Sequence, residues 1–207
     1  MKFSIYQMDI IPGNPEQNRQ KVSEWLEKDV QENNPDTVVL PEMWTTAYTL
    51  PNLHNLADVN GHPTVSFLKE QATKHGINII GGSIANKKDS SIYNTAIVIN
   101  RQGELVYEYD KTHLVPMLNE HKYLTGGKKA AEVFELDGLK FGVIICYDLR
   151  FPELIRPLAL DGAQVLCIVA EWPSARRNHW RNLQIARAIE NQMYVVSSNR
   201  IGSYDGQ

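Results

Sequence analysis

Cysteine is nearly absent: Cys146 and Cys167 are the only two in 207 residues, and neither belongs to a CxxC pair. A disulfide framework and a cysteine-built zinc site are therefore excluded. The six histidines are scattered, with no HExxH or other ligand spacing, so the chain is read as metal-free and without a cofactor. No stretch is rich in Lys or Arg, and 21 basic against 24 acidic residues leave a net charge of −3. Nucleic acid and anionic membrane surfaces are poor partners for such a chain. Long apolar runs are missing as well; 143–146 is typical and far too short to span a bilayer. The start, Met1-Lys2-Phe3-Ser4-Ile5, has no long apolar segment or small-residue cleavage site, and a cytoplasmic location is expected.

What is present suits a core built without cross-links. Hydrophobic residues make up 43% of the chain and charged residues 22%, in the range of ordinary globular proteins. No repeat, linker or low-complexity tract divides it, so residues 1–207 are read as one domain. Strand-like segments are expected at 2–9, 37–40, 77–85, 94–100, 104–109, 132–136, 140–146, 164–170 and 194–198. Helices are expected at 16–33, 63–74, 152–160 and 179–191, the second stopped by Gly76 and the third opened by Pro152. Alternation of helices with buried strands and hairpins predicts an α/β layered protein in which two sheets can stack face to face.

Three places combine a strand end with a reactive side chain. In Gly142-Val143-Ile144-Ile145-Cys146-Tyr147, an apolar strand delivers Cys146 just before a helix begins. Ligands bind beyond the carboxyl ends of strands, and N–H groups of such a turn can hold an oxyanion. The alternative for Cys146 is a small buried hydrophobe. Cys167 sits mid-strand and is read as core. In Val38-Val39-Leu40-Pro41-Glu42-Met43-Trp44, Pro41 ends the strand and aims Glu42 at the rim. Met43 and Trp44 argue for burial, which would raise the Glu42 pKa toward that of a general base. The third place is Tyr109-Asp110-Lys111-Thr112-His113-Leu114, where Lys111 closes a strand.

Leu40-Pro41-Glu42, Tyr109-Asp110-Lys111-Thr112-His113-Leu114 and the run from Ile145 through Cys146 to Glu153 closely resemble the three signature segments of the nitrilase superfamily, in the family's order. The resemblance covers the whole chain. It implies a four-layer α-β-β-α sandwich, with Glu42 as base, Lys111 as electrostatic partner and Cys146 as nucleophile. Glu120, in Asn119-Glu120-His121-Lys122, matches a second glutamate that helps position substrate. Glu171-Trp172-Pro173-Ser174-Ala175-Arg176, His179-Trp180-Arg181 and Pro41-Glu42-Met43-Trp44-Thr45-Thr46 resemble the ω-amidase branch, which deaminates the terminal amide of 2-oxo acids such as 2-oxoglutaramate. The family also implies a small-molecule amide substrate and a homodimer. Its members continue beyond Asn199-Arg200-Ile201-Gly202-Ser203, so a chain that stops at Gln207 is expected to lack a strand and tail.

The expected chemistry is attack by Cys146 on an amide carbonyl, formation of a thioester and release of ammonia. Lys111 and the backbone N–H of Tyr147 would hold the oxyanion. Trp44, Tyr48 and Trp172 are expected as pocket walls, and Arg176 as the cation for a substrate carboxylate. Arg150 competes for that role unless it pairs with Asp148 or Glu153. Nitrile or N-carbamoyl hydrolysis fits the same catalytic set. Two readings from other classes are a Cys-His enzyme, for which His113 stands nearest a strand end, and a catalytically silent binding or assembly module.

Overall fold

The computed structural model describes residues 1–204; the chain end at Gln207, which bears on the expected missing strand, lies outside them. Ten strands form two sheets. The first runs β1 (Phe3–Ile5), β2 (Thr37–Val39), β4 (Asn78–Lys88), β5 (Ser91–Ile99), β6 (Leu105–Asp110), with the short β3 (Asp58–Val59) also on β4. The second runs β10 (Tyr194–Asn199), β9 (Val165–Ala170), β8 (Leu139–Ile145), β7 (Phe134–Leu136). β1, β2 and β4 are mutually parallel, as are β8, β9 and β10, while the hairpin partners are antiparallel.

Side chains alternate across each sheet, and both faces are covered. Val38 and Leu40 face a core shared with α1 (Pro15–Asn33) and, past the single turn α2 (Leu53–Leu56), with α3 (Thr64–His75). Val39, Ile80, Ala96 and Val98 face the other way, onto Val143, Ile145, Cys167 and Val169 of the second sheet. Behind that sheet lie α4 (Pro152–Leu160) and α5 (Arg177–Asn191). The order is helices, sheet, sheet, helices, the α-β-β-α sandwich. Local chemistry marks the helix ends: Asn14 caps α1 through Gln17 N–H at 3.1 Å, and Gly76 closes α3 in the left-handed region at φ 66°.

Two boundaries differ from expectation for physical reasons. The strand expected over 2–9 pairs with β2 only through Ile5. The chain then crosses to the second sheet, where Ser198 Oγ donates to the Tyr6 carbonyl at 2.9 Å and Ile201 N–H to that of Met8 at 3.0 Å. Conversely, β4 and β5 run into one long hairpin through 86–93, where polar residues hide the strand pattern and backbone register alone carries the pairing.

Candidate active site

Glu42 lies just past β2, after Leu40 and Pro41, and its side chain is fully buried. Pro41 gives no ladder N–H, and its carbonyl instead accepts from Ser83 at 3.1 Å, across the Gly81–Gly82 bulge of β4. The two Glu42 oxygens are used unequally. Oε1 accepts from Tyr48 OH at 2.6 Å, Asn94 Nδ2 at 2.8 Å and Lys111 Nζ at 2.9 Å. Oε2 accepts from the Glu171 backbone N–H at 2.8 Å.

Lys111 directly follows β6, with its N–H on the Asn94 carbonyl at 2.8 Å. Its ammonium is buried and donates to Glu42 Oε1, to Tyr48 OH at 3.0 Å and to Glu120 Oε1 at 3.1 Å. An ammonium has three hydrogens, so all are spent. Glu120 opens a one-turn 3-10 helix and is fixed by the Val115 N–H on Oε2 at 2.8 Å. Cys146 stands at the carboxyl end of β8 with φ 46°, a strained value for a non-glycine residue. Asp148 locks this elbow to the end of the Lys111 strand. Its carboxylate accepts from Ile145 N–H at 3.2 Å, Tyr109 OH at 2.8 Å and His113 N–H at 3.0 Å.

A family model for carbon-nitrogen hydrolases matches residues 2–207. This chain belongs to that family.

Among similar proteins, a 2-oxoglutaramate amidase of Bacillus subtilis is 47% identical over 205 residues, covering 98% of this chain and 78% of that one. A hydrolase in the agr operon of Staphylococcus aureus is 46% identical over 207 residues, covering 100% and 78%. The crystal structure of a Saccharomyces cerevisiae protein from branch 10 of the nitrilase superfamily superposes with a TM-score of 0.90 at 30% identity, over 98% of this chain and 76% of that one. The chain is thus a nitrilase-superfamily hydrolase of C–N bonds.

Charge in the hydrolase's core differs from the expectation for Glu42. Burial alone would push that carboxyl up, but Lys111, the Tyr48 hydroxyl and the Glu171 N–H outweigh it and hold it below the usual carboxylate range. Glu120 is moved the other way by burial and by the Glu42 charge, against the pull of Lys111. Burial, reinforced by the Glu42 anion, lifts the Cys146 thiol well above its ordinary value. The surroundings thus favour the thiol form of Cys146 and the ionised form of Glu42. Lys111 stays charged despite burial because two carboxylates face it.

A cavity of about 780 Å³ opens over Cys146, lined also by Tyr48, Tyr147, Arg150, Trp172 and Arg176. Trp44, expected as a wall, is not there. It is fully buried between the first sheet and α3, with Nε1 on the Gly81 carbonyl at 2.8 Å and its ring beside Phe67. The positive φ of Met43 (46°) turns the chain after Glu42, so Trp44 points away from the cavity and into this core. Tyr48 does more than line a wall, since its hydroxyl bridges Glu42 and Lys111.

Trp172 donates Nε1 to the Arg176 carbonyl at 3.0 Å and presents its ring to Arg150, whose Cζ lies 4.8 Å from the centroid. Arg150 also stands 5.5 Å from the Tyr147 ring. It pairs with neither Asp148, which His113 and Tyr109 occupy, nor Glu153; its buried Nε has no partner among the described residues. The Arg176 side chain is exposed at the rim. Among the described residues no group of three or more His, Cys, Asp and Glu side chains could hold a metal ion.

Three contributors escaped the sequence reading: Asn94, Glu171 and Arg200. Glu171 carried a usable signal, because it is a carboxylate at the carboxyl end of a buried strand, β9, as Glu42 is just past β2. Asn94 was visible only as the polar first residue of an expected strand, whereas it lies inside β5. Arg200 pairs with Glu171 at 3.1 Å, a contact between neighbouring parallel strand ends that no local pattern encodes.

Proposed function

We propose that this hydrolase is an ω-amidase that removes the terminal amide nitrogen of a 2-oxo acid such as 2-oxoglutaramate through a thioester on Cys146. The observation that carries the substrate class is Arg150. A guanidinium set against two aromatic rings, with Nη2 3.5 Å from His179 Nδ1 and no carboxylate partner among the described residues, lines the same cavity as the cysteine. Such a group matches a carboxylate better than a neutral amide tail. The identity to a 2-oxoglutaramate amidase supports the same reading. Arg176 at the rim is the outer candidate for the carboxylate, with Arg150 the better enclosed.

In the proposed reaction Glu42 Oε2, the oxygen with fewer donors, takes the Cys146 proton as sulfur attacks the amide carbon. The carbonyl electron pair moves to oxygen, which the Tyr147 N–H stabilises; one such donor is worth roughly 3–4 kcal/mol. Lys111 acts through its field rather than as a donor, since its hydrogens are spent on Glu42, Tyr48 and Glu120. The oxyanion collapses, the C–N bond breaks, and Glu42 returns its proton to the departing ammonia. Water, deprotonated by Glu42, then attacks the thioester and frees the acid and the thiol. Glu120 holds the Lys111 ammonium in place beside Glu42.

The substrate reading is tested by ammonia release from 2-oxoglutaramate, a neutral amide of similar length, a nitrile and an N-carbamoyl compound. Arg150→Met should raise KM for 2-oxoglutaramate about 10- to 100-fold, as expected for a lost charge-assisted bond, and leave the neutral amide within about twofold. Arg176→Met should have the smaller effect. Equal effects of Arg150→Met on both amides, or preference of the wild type for the nitrile or carbamoyl compound, would overturn it.

A further inference from the structure

β9 and β10 pair in register up to Ala170 and Asn199, and the sheet ladder stops there. Beyond that point side chains add to the holding. The Asn199 amide clasps Trp172 at both ends, accepting from its N–H at 2.6 Å and donating to its carbonyl at 3.1 Å. Arg200 N–H reaches back to the Ala170 carbonyl at 3.1 Å, and its Nη1 donates to Glu171 Oε2 at 3.1 Å. Arg200 is tied to the first sheet's side too, with Nη2 3.5 Å from the Ile10 carbonyl and 3.6 Å from Asp9 Oδ1. The Glu171 and Arg200 side chains are 7% and 8% exposed, so water does not loosen the pair.

The Glu171 N–H, released from the ladder, is the one protein donor to Glu42 Oε2 among the described residues. We propose that Glu171 is a positioning residue for Glu42: Arg200 grips its side chain so that its backbone N–H holds Oε2 in place to receive the Cys146 proton. The inference rests on Glu42 being the base. A buried glutamate with one oxygen unpartnered is a costly way merely to fill space. Here its anchored carboxyl adds a side-chain hold to a peptide flanked by the Arg200 N–H on the Ala170 carbonyl and the Asn199 clasp on Trp172. Displacing that peptide by an ångström would turn Oε2 away from the thiol, and errors of that size cost about 100-fold in rate.

Single-turnover acylation with 2-oxoglutaramate tests this, on Glu171→Ala, Glu171→Gln and Arg200→Met, with Glu42→Gln alongside and circular dichroism melts to establish folding. Glu171→Ala and Arg200→Met should each slow acylation roughly 10- to 100-fold while KM stays within about twofold. The double variant should be no slower than the worse single one, because both break one clasp. Glu171→Gln should recover most of the loss, since its amide oxygen still accepts from Arg200. The proposal is overturned if Glu171→Ala and Arg200→Met acylate at the wild-type rate while Glu42→Gln is slow. It also falls if the loss appears only in KM, which would make Glu171 a substrate contact, or if Gln is as slow as Ala. Should Glu171→Ala not fold, Arg200→Met against Glu171→Gln decides the same question. If Glu42→Gln itself acylates at the wild-type rate, the base assignment fails instead, and the proposal with it.

Discussion

Two buried glutamates close to each other are pushed in opposite directions, and their partners explain why. Glu42 is held ionised by Lys111 and three further donors, although burial opposes it. Glu171 has Arg200 on one oxygen and nothing on the other; burial and the neighbouring Glu42 charge push it up to about 8. A carboxyl whose folded pKa exceeds its ordinary 4.5 binds its proton more tightly when folded, so its contribution to stability is greatest at low pH and falls as pH rises toward 8. Glu171→Gln is neutral throughout. Its melting temperature relative to wild type should therefore climb steadily between pH 5 and pH 8, as read by thermal unfolding across that range. A difference independent of pH would contradict the shift. At this scale Glu42, Lys111 and Cys146 were legible as reactive side chains at strand ends. The direction of the Glu42 shift was not, because its cause is an ammonium 69 residues away.

Elements set these side chains where local geometry permits no substitute. The β4 bulge brings Gly82, at φ 61°, against the Pro41–Glu42 peptide: an added Cβ would lie 2.0 Å from the Pro41 carbonyl oxygen and 2.8 Å from Trp44. Gly138, at φ 78° in the β7–β8 turn, would meet nothing within 4 Å. Gly138→Ala should thus carry only the left-handed strain, on the order of 1 kcal/mol, and keep its activity. Gly82→Ala adds a clash with the backbone that carries Glu42. It should cost at least about 3 kcal/mol and lower kcat, seen as a lower urea midpoint and a slower acylation step. Equal costs at the two glycines would refute this use of the bulge. Most elements were readable from periodicity, α4 to the residue. The lapses came where tertiary contact overrode pattern: the first strand leaves its sheet after Ile5, and the polar 86–93 hairpin pairs without an apolar signal.

The sandwich as a whole makes one site from two sheets. Glu42 and Lys111 come from carboxyl ends in the first sheet, Cys146 and Glu171 from carboxyl ends in the second, and the Asp148 and Arg200 contacts tie the two together. Single segments announced the reactive residues. Their meeting depends on how the sheets stack, which the sequence revealed only through resemblance to a family. The central claim is that this assembly forms a thioester on Cys146. Wild-type protein mixed with 2-oxoglutaramate, acid-quenched at millisecond times and read by intact-mass and peptide mass spectrometry, tests it directly. A mass gain equal to the acyl group, mapped to the Cys146 peptide, rising with the ammonia burst and missing from Cys146→Ala, is the predicted result. Ammonia release with no covalent adduct, or an adduct carried by Cys167, would contradict it.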